Sequence, residues 1–183
     1  MHPLLRRFVP GLAVLGTLAL LAPPASAQQE AIRTPGRFGL GLGMGTLANG
    51  LSAKYFIDRQ HALQFHLGEF GGGGPRYRWH RFRGLALGAD YLFEGPRIVR
   101  AGKAFDLAWN IGGGVGLGFG DRYYGFSETR SRLACAVAFV AGLEFNFIPI
   151  PLDIVLEWRP GLLVVPHVRL GVVDFTAQIR VYF

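Results

Sequence analysis

Phe175-Thr-Ala-Gln-Ile-Arg-Val-Tyr-Phe183, the last nine residues, alternate apolar and polar side chains without a break. Successive side chains of an extended chain point to opposite faces. Phe175, Ala177, Ile179, Val181 and Phe183 therefore share one face, and Thr176, Gln178, Arg180 and Tyr182 the other. A strand of this kind lies between two unlike environments. A soluble β-domain gives the same period, so the deciding question is which face of the whole sheet is apolar.

Working upstream, the period recurs in seven more segments: Arg37 to Thr46, Leu51 to Ile57, His61 to Phe70, Arg81 to Phe93, Ala104 to Gly120, Leu133 to Phe147 and Leu152 to Arg159, with the eighth running from Val168 to Phe183. The fifth is the clearest. Phe105, Leu107, Trp109, Ile111, Val115, Leu117 and Phe119 oppose Asp106, Asn110, Gly112, Gly114, Gly116 and Gly118. Throughout, the second face carries glycine, alanine and charge. That set makes a poor exterior for a soluble barrel and a plausible lumen, so the apolar face points outward, toward lipid.

Composition agrees. Half of the chain is hydrophobic and 27 of its 183 residues are glycine, well above the roughly 7% average usage. After the first 27 residues no apolar run reaches the ~18 residues that a membrane helix needs. Those first residues read as a secretory signal: Arg6-Arg7, an apolar run from Phe8 to Ala22, and Ala25-Ser-Ala27 before Gln28. The expected domains are thus a signal peptide, 1–27, and a barrel, 28–183, with a retained N-terminal anchor as the alternative. No cysteine lies near the cleavage site to accept a lipid, and Cys135, having no partner, reads as a small apolar strand residue. Without Arg6 and Arg7 the 19 basic residues become 17 against 12 acidic ones. In an exported protein that excess favours anionic lipid over nucleic acid, for which no motif is present.

The eight segments and the terminal strand resemble the small eight-stranded bacterial outer-membrane barrels of the OmpA and OmpX type. The resemblance implies an all-β fold, an eight-stranded antiparallel up-and-down transmembrane β-barrel, monomeric and located in a Gram-negative outer membrane. It also implies that Phe183 belongs to the signal read by the barrel assembly machinery. With the N-terminus on the periplasmic side, the connections at Asp58, Glu94 and Ile148 are periplasmic. Those at Thr46, Gly71, Asp121 and Pro160 face outside.

Eight strands enclose a space just wide enough for side chains to fill, so the expected lumen is a packed polar core and not a general pore. Its cations are Lys54, Arg159 and Arg180, and its anions Asp90, Asp106, Glu144, Asp153, Glu157 and Asp174. These must pair or hold water, because a lone buried charge is costly. The acidic excess leaves a cation site or narrow conduit open, but no ligand spacing specifies a metal and nothing calls for a cofactor. The uneven glycine lining leaves two readings: a cavity against the fourth to sixth segments that takes a small amphipathic ligand, or glycines that make room for large side chains from elsewhere in the barrel.

Two constellations bear on chemistry. If the hairpin is centred on Arg59, Ser52 and His66 stand opposite each other and point inward, as a serine nucleophile and its base would, yet no acid can be assigned beside His66. In the loop after the third segment, Arg76, Arg78, Trp79, Arg81 and Arg83 set arginine among aromatics with no acid. Arginine matches phosphate bidentately, so this loop suits outer-membrane lipid and lipopolysaccharide. The expectation is a non-enzymatic structural or surface-interaction role. A narrow channel or carrier and a lipid-modifying enzyme are the alternatives.

Overall fold

The computed structural model describes residues 32–45, 49–69, 82–122, 133–165, 168–171 and 175–183. Its strands are β1 (Phe38–Gly45), β2 (Asn49–Phe56), β3 (His61–Glu69), β4 (Phe82–Glu94), β5 (Val99–Ala101), β6 (Phe105–Arg122), β7 (Leu133–Phe147), β8 (Leu152–Trp158), β9 (Gly161–Val165), β10 (Arg169–Gly171) and β11 (Phe175–Tyr182). All pairings are antiparallel. β1 pairs with both β2 and β11, which closes the sheet into a ring.

The register fixes the barrel's geometry. Starting at Leu152 and stepping between Cα partners through Val181, Leu40, Ala53, Phe65, Ala89, Val115 and Val137, one circuit returns to the same wall at Leu162, ten residues further on. For eight strands that stagger tilts each strand by about 40° from the barrel axis and gives a radius of roughly 8 Å. A ring of that size holds side chains and little else.

Eight walls arise from eleven strands because two walls are each described as two strands and β5 lies beside the ring. Trp158 on β8 and Gly161 on β9 pair with Ala141 and Ala138 of β7 in one unshifted register, so the seventh wall runs straight through Pro160. Phe139 N–H donates to Pro160 O at 2.9 Å. The return bond is missing because proline has no N–H. The expected outward connection at Pro160 is thus corrected: the strand continues to Val165, with a bulge opposite Cys135 and Ala136. The eighth wall is described as β10, paired with β9, and β11, paired with β8. β5 was unexpected; it folds part of the Glu94 to Lys103 connection back onto the start of β6, turning at Gly102 with φ of +59°.

The faces follow the sequence pattern. Met44, Leu51, Phe65, Leu85, Tyr91, Val115, Leu156 and Phe175 are all exposed on the outer wall, whereas Lys54, Gln64, Glu144, Asp153 and Arg180 are fully buried inside. An apolar shell this continuous calls for lipid outside it. Near the end of the barrel that carries the Asp58 turn the outer rings touch, Phe105 with Phe145 and Phe147 at 5.8 and 6.1 Å and Phe93 with Trp109 at 6.0 Å, as in an interfacial aromatic girdle.

Candidate functional site

Inward positions of seven walls form a polar core of two clusters. At its centre Gln64 of β3 donates to Glu157 Oε1 at 2.9 Å and to Asp90 Oδ2 at 3.2 Å, while its own oxygen accepts from Arg180 Nη1. Arg180 also forks onto Asp153, with Nη2 at 2.8 Å from Oδ2, and Tyr182 donates its hydroxyl to the same oxygen at 2.6 Å. Toward the far mouth, Arg159 bridges Asp90 and Glu157, with contacts of 2.6 and 2.9 Å, and His66 Nε2 lies 2.9 Å from Asp90 Oδ2. Gln178 joins Glu157 to Ser52 and Arg180.

Nearer the other mouth, Lys54 Nζ pairs with Glu144 and lies 2.6 Å from Glu94, and Asn110 donates to Glu144 at 2.8 Å. Arg33, which precedes β1, enters this cluster from the barrel's mouth and pairs with Glu144 at 2.7 Å and Glu94 at 3.0 Å. Beside it Ile32 joins Phe56, Ala62, Leu92 and Tyr182 in an apolar cluster. Neither Arg33 nor Glu94 was expected in the lumen. Glu94 falls at the inward end of β4's alternation and could have been found. Arg33 lies in no strand, so periodicity says nothing about it.

The charged residues read as lumen-facing fall in three places. Lys54, Asp90, Glu144, Asp153, Glu157, Arg159 and Arg180 are all buried inside. Asp106 has the inward parity but sits at the rim, where Arg100 and Arg97 of the turn reach it at 2.9 and 3.2 Å. It is corrected from a lumen residue to the anchor of the β5 ribbon. Asp174 lies outside the described residues. With Arg33 included, four lumen cations among the described residues face five carboxylates, and the marked acidic excess read from the sequence shrinks to one.

Glycines make room for this network. Gly114 lies beneath Asp90, Gly142 beneath Asn110 and Glu157, and Gly39 beneath the Tyr182 ring. This favours the second of the two glycine readings. A groove of about 410 Å³ lies instead on the outer wall, where Leu51, Ala53, Phe65, Leu87 and Ala89 are among its lining residues.

Ser52 and His66 are direct cross-strand partners, as expected, and Asp90 supplies the acid that could not be assigned. The three do not form a relay. Ser52 donates its hydroxyl to Gln178, and the Asp90 carboxylate that holds His66 is also bound by Arg159. A nucleophile whose proton points away from its base is not activated. Of the basic loop, Arg76, Arg78, Trp79 and Arg81 lie outside the described residues, and Arg83 is placed only by its backbone, opposite Asp121. Phe183 is half exposed on the outer wall, and its N–H donates to Phe38 O at 2.9 Å.

No family model and no curated protein matches the sequence. Among solved structures the chain is similar to the N-terminal β-barrel domain of Pseudomonas aeruginosa OprF, at 12% identity and a TM-score of 0.52, over 80% of this chain and 96% of that one. It is also matched, at 16% identity and a TM-score of 0.33, to the attachment invasion locus protein Ail of Yersinia pestis, over 82% of this chain and 100% of the other. The first likeness shows the fold: an all-β, closed eight-stranded antiparallel barrel of the outer-membrane type.

Proposed function

We propose that this outer-membrane barrel is a non-conducting, non-enzymatic anchor that acts at the cell surface through its outward loops. The observation that supports this reading is the closed lumen. Lys54, Gln64, Glu144, Asp153 and Arg180 come from different walls, and each has no solvent-accessible surface. Side chains from five walls thus meet inside the ring, and the ion pairs they make are costly to break singly. With transport unsupported inside, the chemistry available to a partner at the cell surface lies on the outward loops. The basic and aromatic stretch at Arg76, Arg78, Trp79, Arg81 and Arg83 suits lipopolysaccharide phosphates.

The test has two arms. Purified barrel in planar bilayers should give no steady conductance, and its binding to vesicles containing lipopolysaccharide should weaken when Arg76, Arg78, Arg81 and Arg83 are replaced by serine. Stable unit conductance would overturn the first half of the reading. Unchanged binding by the serine variant would overturn the second.

A further inference from the structure

Glu94 of β4 and Glu144 of β7 are wholly buried and share two cations of different standing. Lys54 belongs to the barrel wall. Arg33 does not: it reaches the pair from outside the ring, with its side chain 15% exposed at the mouth. Its guanidinium also donates to Gly95 O and, at 3.2 Å, to Trp109 O, two backbone carbonyls at the same mouth. Ile32, 7% exposed, fills the apolar collar of Phe56, Ala62, Leu92 and Tyr182.

The wall alone thus presents two carboxylates, two carbonyls and an apolar collar, with Lys54 as the wall cation paired directly to both carboxylates. A planar fork of N–H donors matches that arrangement better than a compact ammonium. The Glu94 oxygens are held by ion pairs, Oε1 by Lys54 at 2.6 Å and Oε2 by Arg33 at 3.0 Å, so removal of Arg33 leaves Oε2 without its cation. Arg33 Nε has no acceptor, so recognition rests on the terminal nitrogens. Nothing joins Ile32-Arg33 covalently to this receptor except the short link to β1.

We propose that the periplasmic mouth is a guanidinium-binding site, that Ile32-Arg33 fills it as a tethered stopper, and that an alkylguanidinium, free or on a peptide arginine, exchanges with it. The site would then be occupied in cis at rest and open to an arginine-bearing ligand from the periplasm.

The test uses the full chain in detergent, with Cys135→Ser and Ile32→Cys, so that a polar maleimide reports whether position 32 is withdrawn from the mouth. With Arg33 present the thiol should react far more slowly than in urea-unfolded chain. Ethylguanidinium should then speed labelling severalfold and saturably, while ethylammonium and sodium chloride at equal ionic strength should not. Acetyl-Ile-Arg-amide acting at lower concentration than ethylguanidinium would identify a peptide source, and equal potency a site that reads the guanidinium alone. Adding Arg33→Ala should speed labelling without any ligand. Labelling as fast as in the unfolded chain with Arg33 in place, or acceleration that salt alone reproduces, or none by any guanidinium, would overturn the proposal.

Discussion

Gly114 lies directly beneath the Asp90 carboxylate, its register partner across β4 and β6, so that a β-carbon there would collide with Asp90 Oδ1 and the backbone oxygen of Ala89. Asp90 has little freedom to move aside, because Arg159 and His66 hold both of its oxygens. Gly114→Ala should therefore destabilise the barrel by about 1–3 kcal/mol, the usual cost of overpacking. Gly113→Ala, whose β-carbon would face outward with nothing nearer than Ala138 O at 3.5 Å, should stay within ~0.5 kcal/mol of the parent. Urea midpoints in detergent compare the two, and equal losses would contradict the account.

Removing Asp153 leaves the fully buried Arg180 guanidinium without the carboxylate it forks onto, and leaves Tyr182 without its acceptor. Asp153→Leu should cost about 3–5 kcal/mol, and adding Arg180→Met should return a large part of that loss. A double-mutant cycle on the same urea midpoints measures the recovery. Strict additivity would mean the pair is not coupled.

Ser52→Ala removes only a hydroxyl that donates to Gln178, so a stability loss of about 1 kcal/mol is expected. Any lipid-processing activity found in the purified barrel should survive this change. Its disappearance would restore Ser52 and His66 as an enzymatic pair.

Phe183 is exposed on the outer wall, and its N–H donates to Phe38 O. If the terminal aromatic is an assembly signal, Phe183→Ser should lower the fraction of chain recovered folded in outer membranes. The molecules that do fold should keep the parent's boiling-dependent gel shift and nearly its midpoint. A normal yield with a lowered midpoint would assign the residue a packing role instead.

Asp58 tests the turn between β2 and β3. Its Oδ1 accepts from the Gln60 and His61 amides at 2.6 and 2.8 Å, and His61 Nδ1 stands 2.8 Å from Oδ2. The His61 hydrogen bond, then that of Gln60, holds the carboxyl below its ordinary value of 3.8. A depressed acid stabilises the turn above its unfolded value, and that stabilisation is lost as pH falls through the folded one. Amide exchange at Gln60 and His61, corrected for intrinsic rates, should accelerate on going from about pH 5 to about pH 2 and should be insensitive to pH over that range in Asp58→Asn.

Periodicity carried most of the fold because each wall separates lipid from a polar core, so every second residue reports its face. It placed Lys54, Glu144, Asp153 and Arg180 inside without any register. What it missed depends on long-range pairing. The acid beside His66 is invisible until β3 and β4 are aligned across the loop that joins them, which puts His66 opposite Gly88 and two residues from Asp90 along the inward face. Pro160 signals a break, and the chain there loses one hydrogen bond yet keeps its register. Arg33 sits in a segment with no strand pattern, and its partners on β4 and β7 meet it only once the ring has closed.

That closure sets an order of events. The seam joins β1 to β11, the first and last of the described strands, through Leu40 to Val181 and Phe38 to Phe183. A ribosome delivers β1 long before β11 exists, so for most of synthesis the seam edge of β1 has no partner, and Gln64 has no Arg180 to bind. The barrel thus has no stable half-built form: its completion is a single late event, and some other surface must shelter the early strands until then.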